Sequence, residues 1–457
     1  MNKSYRLVME SKADLKGLQK YLQIPIAWKQ STLLPWALAF FPILIYLEYI
    51  VFFGVDVIYW DEWNLFPMIH DFFAGTMTFS ELWEQHNENR MLFPNLFFLL
   101  LAKTVHFDTK VGMFVGAFFL MLSFLLLYSI YRKHFQSRIW AFVPVSYLLF
   151  GLVQYENTLW GFQVAWYMIL ACLLGMFSCL ERPYVTWTFG ISIALAILAS
   201  FSSMQGLFLW PAGFVYLWAN NYSLRSKALW IVSFLLTVLT YFMGFDFHNT
   251  GGSSVLAFFS HPVNAIAYFF VVVGSVIQVG GVEAKGAIGI VLFLLALHGA
   301  FRGVLSAKSD RSYLFPLGLM VFVFLFDASL VVGRSGFGVG QATSSRYSTY
   351  NILLLIAIYI SSLREISASF AGKKQGWFVA VSVILVLAVQ VPSSYVSGMK
   401  SGLSLYQGRT QSANTLRSFR TAPRKLIERD LWSNYDLVFQ RASWAELYRF
   451  SVFREEK

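Results

Sequence analysis

In "YWDEW", residues 59–63, two adjacent carboxylates, Asp61 and Glu62, stand between Trp60 and Trp63. Further on, "QHNENR" at 85–90 brings His86, Asn87, Glu88 and Arg90 together. A carboxylate can take a proton from an attacking hydroxyl. A guanidinium fork binds phosphate oxygens two at a time. These pairings make Asp61 and Glu62 the candidate catalytic acids, with Arg90 and Arg346 as candidate anion clamps. The candidate substrate-binding residues are Trp60, His86, Asn87, Glu88, Glu156 and Asn157. Asp61, Glu62, His86 and Glu88 also have the oxygen and nitrogen donors of a divalent-cation shell, although their spacing matches no established metal motif. Each has a plainer reading. Loop acids are commonly solvated, Trp60, Trp63 and Trp83 suit an interfacial aromatic belt, and Arg346 can snorkel from a helix end. The glycine-rich "GRSGFGVG" at 333–340 follows an apolar run rather than a strand, so it is a tight loop and not a nucleotide fingerprint.

The elements that must position these residues are membrane helices. The 457-residue chain is 57% hydrophobic and only 13% charged, about half the charge of a soluble domain. Apolar runs near the roughly 20 residues of a bilayer crossing recur along it. The composition predicts an all-α polytopic membrane protein. Spans are expected at 33–54, 111–131, 138–155, 163–180, 184–201, 204–220, 227–244, 286–306, 313–333, 347–363 and 377–396. Two further segments, 91–106 and 263–281, are read as interfacial or re-entrant. With them outside the count, the basic connections near 131–138, 182, 225–227, 301–311 and 363–374 share one side, as the positive-inside rule requires. The expectation is therefore about eleven spans, in a range of ten to thirteen.

This topology divides the chain into a cytoplasmic tail at 1–32, a membrane domain at 33–396 and a short polar region at 397–457 on the outer side. The net charge of +11 is absorbed by the inner loops and implies no nucleic-acid partner. Cys172 and Cys179 lie seven residues apart in one run, about 10 Å along a helix, which excludes a disulfide within it. The polar clusters at 55–90, 154–163, 200–206, 245–254 and 333–350 all fall on the outer side. The first of them holds seven acids against the single base Arg90.

An outer base, arginines for an anion, aromatics for a ring and access to lipid suit one reaction class: moving a sugar from a lipid phosphate to a hydroxyl. The motifs "YWDEW", "QHNENRMLFPNL", "QYENTLWGFQ" and "GRSGFGVGQATSSRY" also resemble those of a group of bacterial multi-pass proteins placed beside the GT-C superfamily of integral-membrane glycosyltransferases. The resemblance implies a GT-C-like membrane domain whose catalytic first outer loop spans 55–110, with a first-loop acid as base, a role that falls to Asp61 by position. It further implies a polyprenyl-phosphate-linked sugar donor and a cell-envelope glycan, lipid or protein as acceptor. Transfer would occur on the periplasmic side of a bacterial inner (plasma) membrane, in a protein with a cytoplasmic N-terminus. A divalent cation is a candidate cofactor. Three other functions compete. A lipid-linked oligosaccharide transporter or flippase would want charges at the bilayer midplane and repeated halves. An O-antigen polymerase or ligase usually carries its large outer loop in the second half. A scaffold would tolerate loss of Asp61.

Overall fold

The computed structural model describes residues 33–135, 139–181, 185–246, 259–306, 308, 310–363, 365–366 and 376–454. The expected cytoplasmic tail, 1–32, lies outside the described residues, as does most of the polar cluster at 245–254. Among the described residues the fold is all-α apart from one two-residue hairpin, β1 (Gln85–His86) with β2 (Asn89–Arg90).

Eight helical segments are long and apolar enough to cross a membrane. They are α1 (Leu33–Phe53), α3 (Thr109–Phe135), α4 (Ile139–Leu149, continued by short turns to Thr158), α5 (Val164–Leu180, preceded by the turn at Gly161), α8 (Leu224–Phe242), α10 (Val282–Ser306), α11 (Leu314–Arg334, flanked by turns from Arg311 to Phe337) and α13 (Trp377–Arg417). Between them lie shorter helices: α2 (Leu92–Val105), α6 (Thr186–Ser200), α7 (Leu209–Ala219), α9 (Pro262–Gly274) and α12 (Ser348–Ser361). α14 (Tyr435–Leu447) follows α13. The polytopic class is thus present, while three of the eleven expected spans, at 184–201, 204–220 and 347–363, are shorter helices. The ends of the last two are taken up by 3-10 turns at Met204–Phe208 and Ser345–Tyr347.

Burial explains why these helices associate. Lipid gives helices no hydrophobic reason to pair, so close packing must do it. α9 and α10 meet backbone to backbone at Gly274 and Gly289. A Cβ at Gly274 would sit 1.9 Å from the Lys285 carbonyl oxygen, and one at Gly289 would sit 1.8 Å from that of Phe270. α12 is buried along its whole length.

Polar groups separate to two ends of this bundle. At one end Lys133 and His134 reach Glu181 at 3.4 and 3.0 Å, Asn220 donates to the Leu180 carbonyl, and Arg302 pairs with Glu365. The first loop and the clusters at 154–163, 200–206 and 333–350 gather at the opposite end. α2 both starts and finishes there. Near its start the Phe93 N–H donates to the Phe201 carbonyl at 3.3 Å, and beyond its end Asp56 accepts from the Thr109 N–H at 2.9 Å.

The C-terminal region also belongs to this end. α13 has 41 residues, roughly 60 Å at 1.5 Å per residue, so it runs on past residue 396 and far beyond a bilayer core. Its last turns and the chain to Phe453 form a second apolar core with the first loop, in which Leu416, Phe419, Val438 and Ala445 pack with Ile58, Trp63 and Phe66. Two arginines pin the arrangement. Arg441 donates to the Trp63 carbonyl at 2.8 Å, and Arg454 bridges Asp56 and Asp108 at 2.5 and 2.7 Å.

Candidate functional site

At the polar end a cleft opens between the hairpin, the start of α5, the turn after α6 and the end of α11. Four of the polar clusters expected to share a side meet here: 55–90, 154–163, 200–206 and 333–350. The charged residues that line it are Asp61, Glu88, Arg334 and Arg346, with His86 beside Asp61.

Asp61 and Glu62 are adjacent in sequence but face different surroundings. The 3-10 turn Trp60–Leu65 sends Asp61 to the cleft, where its carboxylate lies 3.7 Å from His86 Nε2. Glu62 turns inward and is 2% exposed. Its Oε2 accepts the Tyr59 N–H at 2.8 Å and closes the loop on itself. Burial pushes the Glu62 carboxyl up to about 8, against the pull of the Tyr59 N–H and the nearby Arg409. Glu62 is therefore a buried brace under Asp61 and not a second group in the cleft. Trp60 occupies the left-handed region at φ 46°, unusual for a bulky residue, and is half-exposed. It stacks on Tyr59 with centroids 5.1 Å apart and meets Trp160 edge-on at 6.1 Å. Strained backbone of this kind persists where surrounding packing over-determines it, often at a functional site.

The hairpin presents its turn to the cleft. Register pairs His86 with Asn89, leaving Asn87 and Glu88 as the two-residue turn, and Asn87 takes the φ of 51° that asparagine tolerates. His86 rests edge-on against Phe162, with its Nε2 buried and without a hydrogen-bond partner. Glu88 pairs with Arg334 at the end of α11.

Arg90 does not serve as an anion clamp. It is 4% exposed, and each of its three guanidinium nitrogens donates to a main-chain carbonyl: Nε to Tyr241, Nη1 to Trp83 and Nη2 to Met243, at 3.2, 2.7 and 2.8 Å. It bolts the hairpin to the end of α8, buried and outside the lining of the cleft. Arg334 stands in the cleft instead. Arg346 lines it as expected, and the nearest oxygen of Glu156 is 3.7 Å from its Nε. Glu156 and Asn157 lie behind that arginine. Glu156 Oε2 accepts the Arg346 N–H at 3.1 Å and the Ser344 hydroxyl at 3.0 Å, while Asn157 Nδ2 donates to the Arg346 carbonyl at 2.9 Å. Both hold the loop that carries Arg346 and do not line the cleft.

The cation shell proposed for Asp61, Glu62, His86 and Glu88 is not assembled. Among the described residues no three of His, Cys, Asp and Glu converge on one point. Glu62 is turned away and Glu88 is held by Arg334, which leaves only Asp61 beside His86.

Several lining residues were not singled out from sequence: Gln163, Trp166, Ser202, Ser203 and Gln205. For Gln163, Ser202, Ser203 and Gln205 the signal was membership of "QYENTLWGFQ" and "SFSSMQG", polar interruptions in an otherwise apolar chain, whereas Trp166 stands in the apolar run that follows and had none. Comparison with family models, with curated proteins and with solved structures finds no match to the chain.

Proposed function

We propose that this protein is an integral-membrane glycosyltransferase of the GT-C type, using a polyprenyl-phosphate-linked sugar and acting on a cell-envelope glycan, lipid or protein. The observation that carries the reading is the convergence of Asp61 with Arg334 and Arg346 in one cleft at an end of the membrane helices. A sugar-phosphate bond needs little else. The acceptor oxygen attacks the anomeric carbon while its proton passes to the Asp61 carboxylate. The bond from that carbon to the phosphate oxygen breaks, and the electron pair leaves with the phosphate. Arg334 and Arg346 stabilise the charge that gathers there. Attack opposite the leaving group inverts the anomeric carbon, so a single base suffices.

The other groups have supporting roles in this scheme. His86 flanks the Asp61 carboxylate at 3.7 Å. Trp60, exposed on its stack with Tyr59, offers a face to a sugar ring. The pairing of Arg334 with Glu88 keeps that cation extended in the cleft before the donor arrives. On this reading the cleft faces the periplasm of a bacterial inner membrane and the N-terminus is cytoplasmic.

The test is direct. Purified protein in lipid nanodiscs is offered a panel of polyprenyl-phosphate sugars with membrane extract as acceptor, and radiolabelled product is followed. Transfer from at least one donor is expected. Absence of transfer from every donor, by protein that is folded and in membrane, would overturn the reading.

A further inference from the structure

We infer that Asn89 and Gln205 form a paired amide subsite in the cleft that binds two neighbouring hydroxyls of a sugar. The inference rests on the transferase reading for its setting, and its evidence is a hydrogen-bond argument at Ser203. Asn89 and Gln205 both line the cleft. One side-chain oxygen of Asn89 accepts the main-chain N–H of Met204 at 3.0 Å. An N–H cannot donate to an amide NH₂, so this contact fixes which end of the Asn89 amide is oxygen. The same oxygen receives the Ser203 hydroxyl at 2.7 Å. Its two lone pairs are then used, and Nδ2 is left as a donor with no partner among the described residues, on a side chain that lines the cleft.

Ser203 decides the orientation of Gln205. A hydroxyl has one proton, and Ser203 has given it to Asn89. The Gln205 side-chain amide also meets the Ser203 oxygen, through the end placed as Oε1. Two acceptor oxygens cannot share that contact without a proton between them. Gln205 must therefore turn its Nε2 toward Ser203, which leaves its Oε1 facing outward as an acceptor. The wall thus presents one amide donor and one amide acceptor, carried by two amides that both touch the same serine. A donor beside an acceptor suits a vicinal diol, in which one hydroxyl accepts while its neighbour donates. A carboxylate or a phosphate would meet Gln205 Oε1 with a second acceptor and be repelled. This wall is consequently chemically distinct from the arginine wall that takes the phosphate.

The diol can belong to the donor's sugar or to an acceptor glycan, and the experiment separates them. Protein in nanodiscs is examined by saturation-transfer NMR with methyl glucopyranoside, methyl mannopyranoside and their 2,3-dideoxy analogues. Two hydrogen bonds together give about tenfold discrimination against the dideoxy sugars. Asn89→Asp keeps the oxygen that holds Met204 and Ser203 but replaces the free donor with an acceptor. It should abolish the discrimination while leaving the thermal unfolding midpoint in place. Gln205→Met should do the same by removing the acceptor. Displacement of the bound glycoside by polyprenyl-phosphoglucose would assign the diol to the donor sugar, and survival of the signal would assign it to the acceptor. Equal binding of diol and dideoxy glycosides, or unchanged discrimination in both variants, would overturn the subsite. Because the readout needs no turnover, diol binding by a protein that transfers nothing would leave the subsite standing and remove only the transferase reading.

Discussion

Arg454, almost at the C-terminus, should control the loop that carries Asp61. It bridges Asp56 and Asp108, which flank that loop, at 2.5 and 2.7 Å. Two charge-assisted bonds would be worth about 3–6 kcal/mol if fully enclosed. The Arg454 side chain is 34% exposed, so solvent screening reduces the sum to about 2 kcal/mol. Arg454→Ala also leaves Asp56 and Asp108 facing each other. Burial and the Asp108 charge already push the Asp56 carboxyl above its ordinary range. About 2 kcal/mol corresponds to a roughly 30-fold rise in the population with the C-terminal segment released. Limited trypsinolysis in detergent measures it, because cleavage follows the open population when reclosing is fast. The cleavage rate of Arg454→Ala should rise by about that factor, with Arg454→Lys intermediate. Asp56→Asn placed in the Arg454→Ala background should recover part of the loss by removing the repulsion. A cleavage rate within twofold of the parent would refute the clamp and the idea that the C-terminal segment braces the site.

Three other outcomes follow from the same geometry. Glu62 titrates near 4.5 when unfolded and near 8 when folded, so the native state holds a proton that the unfolded state has released. Stability should fall as pH rises through that window, and Glu62→Gln, permanently neutral, should flatten the fall in a thermal-unfolding series between pH 5 and 8.5. Arg90→Met removes three bonds to carbonyls and should lower stability by about 3 kcal/mol, read as a loss of thermal midpoint. Arg346→Ala should raise the donor KM roughly 10- to 100-fold without comparable loss of stability, since a charge-assisted contact to phosphate contributes about 1.5–3 kcal/mol. An unchanged donor concentration dependence would exclude Arg346 as a phosphate contact.

The membrane class was legible because composition and run length speak directly to bilayer thickness. The convergence of polar clusters was legible too, since segregated charge sorts loops by side before any helix is packed. Individual roles were not. Asp61 and Glu62 look interchangeable on paper, and only the tight 3-10 turn decides that one meets the cleft and the other the core. Arg90 has the sequence context of an anion clamp, yet its partners Tyr241 and Met243 lie more than 150 residues away. Nothing local reveals that all three of its nitrogens bind main-chain carbonyls. Arg334 stands inside "GRSGFGVG" and carried no role there, because its partner Glu88 is 246 residues distant. Polar composition past residue 396 concealed a packing surface, since Leu416, Phe419 and Val438 are too sparse to register as an apolar run. Span count suffered from the converse problem. Hydropathy does not distinguish a crossing helix from a shorter one whose end is a 3-10 turn, as before Leu209 and Ser348.

The central claim is that Asp61 accepts the proton, and the most direct measurement is transfer by Asp61→Asn. Asparagine keeps the size of the side chain and an oxygen facing His86, but it cannot take up a proton at neutral pH. The variant should insert in membrane, unfold at the parent's midpoint and bind the donor with parental affinity. Its single-turnover transfer rate should fall by about 10²–10⁴-fold, the usual contribution of a general base. A well-folded Asp61→Asn protein that transfers sugar at close to the parental rate would contradict the account.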